Sequence, residues 1–309
     1  MNVFRAFASG IKRATREIRM SLLLYLLNLL AAAGLAFAFR SVVATGLDSS
    51  MSISELLGNL NFTAWQDFMV KNRGELSAVF GQIVWLALLY MLVNTFLAGG
   101  ILTILREKDA KFSLRSFFAG CGNYFFRFLR LFLVFGILLM LVAFVLIALL
   151  GVLFNALTAE ALSEVTTVFW WIAIAVLFLF VMMLVIMVED YAKVIVVTSD
   201  VRSMLRTAWR SAGFVFRHFF KTVGLQLLML LIPIVMFAIY LWLDLSIGMA
   251  SAATILLMFI LQQLFILSRV WARVFFFSGE LALYESLGAG HRQAVVTEIP
   301  RPETGPATA

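Results

Sequence analysis

Residues 131–159 read LFLVFGILLMLVAFVLIALLGVLFNALTA, without one Asp, Glu, Lys, Arg or His. A helix rises about 1.5 Å per residue and a hydrocarbon core is about 30 Å thick, so this stretch can cross a bilayer. Five further charge-free stretches lie around it: Met20–Phe39, Leu76–Leu105, Val165–Val188, Thr222–Leu243 and Leu245–Ser268. Together they predict an all-α integral membrane protein with six transmembrane helices. The spans are expected at about 20–39, 78–105, 131–157, 166–188, 222–243 and 250–272. Composition agrees, with 63% hydrophobic and 13% charged residues over 309 positions, against about half and about a quarter in soluble domains. No segment between spans is long enough for a second domain, so residues 1–287 read as one polytopic membrane domain. Residues 288–309 carry Pro300, Pro302 and Pro306 with little apolar surface, and are expected to form a disordered cytoplasmic tail.

The basic residues orient the six spans. Of the 24 Lys and Arg, 21 fall on one side; only Arg40, Lys71 and Arg73 fall on the other. Basic residues are retained on the cytoplasmic side during insertion, which places both termini there. That side also holds 10 of the 17 acidic residues, for a net charge of +11, against −4 outside. A basic leader before Ala36-Phe37-Ala38 loosely resembles a cleavable signal, but its apolar run is longer than a signal core of about 7–15 residues. Retention of the first span is therefore expected.

Three segments before outward-going spans alternate apolar and basic residues with helical period. Phe4, Phe7, Ile11, Ala14 and Ile18 share one face at the N-terminus, with Arg5, Lys12, Arg16 and Arg19 on the other. In Phe112–Arg130 the apolar face is Leu114, Phe117, Phe118, Cys121, Phe125, Phe128 and Leu129, with Arg115, Arg127 and Arg130 opposite. Val201–Lys221 carries Leu205, Ala208, Trp209, Ala212, Phe216, Phe219 and Phe220, flanked by Arg206, Arg210, Arg217 and Lys221. A shift of 91 residues superposes the last two segments, pairing Leu114-Arg115-Ser116 with Leu205-Arg206-Thr207 and Gly122 with Gly213. The pattern predicts amphipathic helices in the membrane interface, apolar side down, within three units of about 4–105, 112–188 and 201–275. In the first outer loop, Ile53–Leu60 and Phe62–Val70 are expected to form short helices.

Catalytic and metal chemistry find little footing. The only Cys is Cys121 and the only His are His218 and His291, which excludes a zinc-type cluster and an internal disulfide. No phosphate loop, nucleophile elbow or carboxylate pair lies within a span, so no enzymatic activity and no cofactor are expected. Glu189 and Asp190 end the fourth span, and Arg269 and Arg273 end the sixth; an ion pair between the two sets would clamp those spans. Gln82, Asn94, Gln226, Gln262 and Gln263 are polar span positions suited to interhelical hydrogen bonds or to a solute path. Pro233 is expected to kink the fifth span, and Gly99-Gly100 to let helices approach closely.

The segment Val201-Arg202-Ser203-Met204-Leu205-Arg206-Thr207-Ala208-Trp209-Arg210-Ser211 and the segment Phe112–Phe118, with Gly122, Tyr124 and Arg127 beyond it, carry a family likeness. They resemble the interfacial elements of six-span bacterial inner-membrane proteins, including the non-catalytic membrane domain attached to some glycerophosphodiester phosphodiesterases. The resemblance implies a multi-pass protein of the bacterial inner membrane, without the catalytic barrel of those enzymes. On these grounds the chain is expected to be a non-catalytic membrane protein that binds anionic lipid or scaffolds partners. Lys12, Arg16, Arg115, Arg127, Arg130, Arg206, Arg210, Arg217 and Lys221 would be its lipid contacts. The alternative is a small-solute transporter or channel; no nucleic-acid partner is expected.

Overall fold

The computed structural model describes residues 3–47, 66, 70, 73–107, 112–159, 163–201, 203–247 and 251–298, with the main chain alone at 35–47, 74–80, 82 and 289–298. Among the described residues the chain forms helices α1 (Val3–Arg16), α2 (Ile18–Leu47), α3 (Arg73–Arg106) and α4 (Leu114–Thr158). They are followed by α5 (Glu164–Ser199), α6 (Met204–Arg217), α7 (Phe219–Ser246) and α8 (Ala252–Glu298). Helices α3, α4, α5, α7 and α8 are each long and apolar enough to cross a membrane, while α1 and α2 meet that test only as a pair bent by 67°. The chain is thus an all-helical, multi-pass, membrane-embedded protein with five or six spans.

Several expectations shift in detail. The basic segment before the third span does not form a separate helix, because α4 runs unbroken for 45 residues. That is about 67 Å, over twice the hydrocarbon thickness, so the hydrocarbon core accommodates only part of α4 and the basic segment continues the span rather than forming a helix of its own. Helix α8 continues to Glu298, beyond the expected start of the tail at Gly288. The first proline able to stop it comes only at position 300. Pro233 lies inside α7, which is one helix from Phe219 to Ser246. The expected outer helices at 53–60 and 62–70 fall outside the described residues apart from Gln66 and Val70, and so does the end of the tail.

The core sits at the basic end of the bundle. Its buried side chains come from α1, the start of α2, Leu97–Leu105 of α3, Phe117–Phe135 of α4, Met187–Val197 of α5, the start of α7 and Val270–Leu283 of α8. The opposite halves of α4, α5, α7 and α8 expose Met140, Phe144, Val165, Trp171, Trp242, Leu245 and Leu256. Solvent physics explains the asymmetry. Lipid is as apolar as leucine, so little drives side chains together at mid-membrane. Toward the basic end the helices approach water, where burying a Phe or Leu contributes about 1.5–3 kcal/mol.

Contacts at the basic end follow one rule. Helices α2 and α3, α4 and α5, and α7 and α8 pack as hairpins. The basic end of each returning span then packs on a basic helix: α3 on the start of α4, α5 on α6, and α8 on α1. The last contact brings the end of the chain back to its beginning and closes a ring of three units. Helices α3, α5 and α8 also touch one another pairwise, filling the centre. At each of the three joints a small residue admits the returning helix. A Cβ at Gly10 would stand 3.0 Å from the Gly279 Cα, and one at Gly99 would stand 3.0 Å from the Gly120 carbonyl oxygen. In the third, buried Ser211 donates to the Val188 carbonyl at 2.5 Å.

These positions reveal a register that a shift of 91 residues alone does not show. Aligning Gly10, Gly120 and Ser211 also aligns Phe4-Arg5, Leu114-Arg115 and Leu205-Arg206. All six of those flanking residues are exposed and all three small residues are buried. At these positions the first unit matches the other two by the places its side chains take, and at Arg5, Arg115 and Arg206 by residue identity as well.

Candidate functional site

The basic rim is best formed on α6, which has three faces rather than two. Met204, Thr207, Ser211 and Val215 are buried against the protein. Leu205, Trp209, Phe216 and, just beyond the helix, Phe220 form an outward stripe, 72%, 83%, 66% and 89% exposed respectively. Arg206, Arg210, Arg217 and Lys221 each follow one of these by a single residue, hence about 100° around the helix, and all four are exposed. Such a helix presents an apolar edge and a basic edge side by side.

The other two basic helices present a reduced form of this pattern. In α4, Leu114 and Phe118 are exposed beside Arg115, whereas Phe117, Cys121 and Phe128 turn into the core. In α1, Phe4 is exposed, as is Ile18 at the start of α2, while Ala14 is buried and Phe7 packs edge-on to Phe275 at 5.5 Å. The single apolar face expected from periodicity thus divides into a protein-facing part and an outward part. Among the expected lipid contacts, Lys12, Arg115 and Arg130 are exposed. Arg16 pairs with Glu17 at 3.0 Å. Arg127 pairs with Asp200 and lies over the Tyr124 ring at 5.6 Å.

Near Arg127 a polar cleft of about 420 Å³ opens between the end of α3, the start of α4 and the end of α5. Thr103, Arg106, Glu107, Ser116, Asn123 and Tyr124 supply its polar lining. Arg106 is held there by a 2.8 Å hydrogen bond to the Val197 carbonyl. The polar span positions lie elsewhere and serve separate bonds. Tyr25 donates to Gln263 at 2.7 Å, tying α2 to α8. Gln226 is buried with its carbonyl oxygen unpartnered, and Gln262 is half-buried. The side chain of Gln82 is outside the described set.

A second cluster is buried where α3, α5 and α8 converge. Lys193 reaches Asp190 at 2.8 Å and Glu189 at 3.0 Å, one turn back on its own helix, and its ammonium lies 5.9 Å from the Phe277 ring. Arg273 instead donates to both the side-chain and main-chain oxygens of Asn94, the latter at 2.8 Å. The expected clamp between Glu189 or Asp190 and Arg269 or Arg273 is thus replaced by two others. Lys193 neutralises the carboxylates locally, and Arg273 ties α8 to α3 rather than to α5. The i,i+3 and i,i+4 spacing of Lys193 was the sequence signal for this pairing. Glu280 and Tyr191 complete the cluster; both are buried, with polar atoms that meet no hydrogen-bond partner.

Among the described residues no group of His, Cys, Asp and Glu could hold a metal ion. No family model matches the chain, and neither curated proteins nor solved structures give a match.

Proposed function

We propose that this is a non-catalytic integral membrane protein of the bacterial inner membrane, both termini cytoplasmic, whose basic rim binds anionic lipid headgroups. The observation that carries this reading is α6, with Leu205, Trp209, Phe216 and Phe220 exposed beside Arg206, Arg210, Arg217 and Lys221. Apolar side chains at this spacing enter the headgroup boundary, and the neighbouring cations meet phosphate. Each well-placed basic residue contributes about 1 kcal/mol toward an anionic surface. A solute path is less well supported. Gln263 and Asn94 are engaged in bonds that join helices, and the polar cleft lies apart from Gln226, Gln262 and Gln263.

The test is a titration of the detergent-held full chain with phosphatidylglycerol, read by native mass spectrometry, with phosphatidylcholine as the control lipid. Changing Arg115, Arg206, Arg210 and Lys221 together to Gln is expected to weaken phosphatidylglycerol binding about 1,000-fold, following about 1 kcal/mol for each charge. Phosphatidylcholine binding should hardly change. Equal loss for both lipids, or no loss for either, overturns the reading.

A further inference from the structure

Glu280 lies eight residues past position 272, where the sequence pattern places the end of the sixth span, on the part of α8 that joins the central cluster. Its side chain is 0% exposed, and neither carboxylate oxygen meets a donor. An ionised carboxylate left so would be far costlier than an acid that keeps its proton. Its charged neighbours are Asp190 and Lys193 of α5, and the hydroxyl of Tyr191, also without a partner, faces Glu280 and Asp190.

Among the described residues, the other elements packed on α8 bring no second cation to Glu280. Helix α1 contributes Arg13, which pairs with Glu285 at 3.1 Å. Helix α3 contributes Asn94 to Arg273, and α2 contributes Tyr25 to Gln263. Helix α7 contributes the uncharged Met229, against Gly279. Helix α6 contributes Phe214, which contacts Tyr284 and carries His218 on its other side. In the cluster Glu189, Asp190 and Glu280 face Lys193 and Arg273, an excess of one negative charge that a single proton removes.

We propose that Glu280 is a proton-binding site at the α5–α8 contact, closed in its acid form and loosened when the proton leaves. In that step the Glu280 O–H bond breaks, the proton passes to water, and the carboxylate stays opposite Asp190. Burial holds the acid form to a higher pH than a free glutamate. An unfolded chain releases the same proton near pH 4.3. The stabilisation is therefore complete below that pH and is lost as pH rises above it.

The experiment is thermal unfolding of the full chain in lipid nanodiscs from about pH 5 to about pH 8, with infrared spectra in H2O and D2O. The wild-type midpoint should fall as pH rises, and Glu280→Gln should remove most of that slope. The wild type should also show the carbonyl band of a protonated carboxyl group at neutral pH, shifted in D2O and absent from Glu280→Gln. An unchanged slope in the variant, or a band that survives the substitution, overturns the proposal. Should Glu280→Gln fail to fold, the wild-type spectrum decides: a protonated band supports the site, and its absence refutes it.

Discussion

Replacing Lys193 with Met is expected to destabilise the chain by about 3–5 kcal/mol, the usual cost of stripping one partner from a buried ion pair. Lys193 joins two carboxylates, at 2.8 and 3.0 Å, with its side chain 14% exposed and theirs about 20% exposed. Methionine fills the same space, so lost packing contributes little and the uncompensated negative charge dominates. The measurement is the denaturation midpoint in detergent, followed by tryptophan fluorescence. Adding Glu189→Gln and Asp190→Asn to Lys193→Met should recover most of the loss, because the orphaned charges are then gone. A single variant as stable as the wild type would show that the cluster is wetter than its burial implies.

The second large effect is expected at Gly10. A Cβ there meets main-chain atoms, the Gly279 Cα at 3.0 Å and its nitrogen at 3.2 Å, which cannot rotate aside as a side chain can. Gly10→Leu must push α1 from α8, at an overpacking cost of about 1–3 kcal/mol together with loss of the Arg13–Glu285 pair. Gly213→Ala is the control, since a Cβ at that position meets nothing within 4 Å. It should leave stability unchanged or raise it by about 0.5–1 kcal/mol, as alanine does for glycine within a helix. Comparable thermal unfolding of the two variants would mean that the α1–α8 joint adds little.

The spans were legible because hydrocarbon tolerates no charge: each of the long helices α3, α4, α5, α7 and α8 carries most of one expected apolar run, although the run expected to begin at Leu245 starts within α7 and α8 takes it up only from Ala252. The rim was legible in part. Periodicity put Trp209 on the expected apolar face of α6 and left Val215 off it, yet Trp209 faces outward and Val215 is buried. Only the position of the returning helix decides between them. The buried cluster was less legible still. Glu280 stands in Gly279-Glu280-Leu281, past the end of an apolar run, where a solvated acid would be the ordinary reading. Its burial comes from α5 and α1 closing over α8, and those contacts join residues far apart in the chain.

The return of α8 to α1 has a consequence for how the chain could be rearranged. Because the start of the chain rests on its end much as α4 rests on α3 and α6 on α5, the present termini have no privileged place in the circle. A circular permutant that links the end of α8 to α1 and opens between α3 and α4 should insert and fold with the same contacts, and its thermal unfolding should match that of the parent. Chain order would then be a matter of where synthesis begins, not of what the three units recognise in one another.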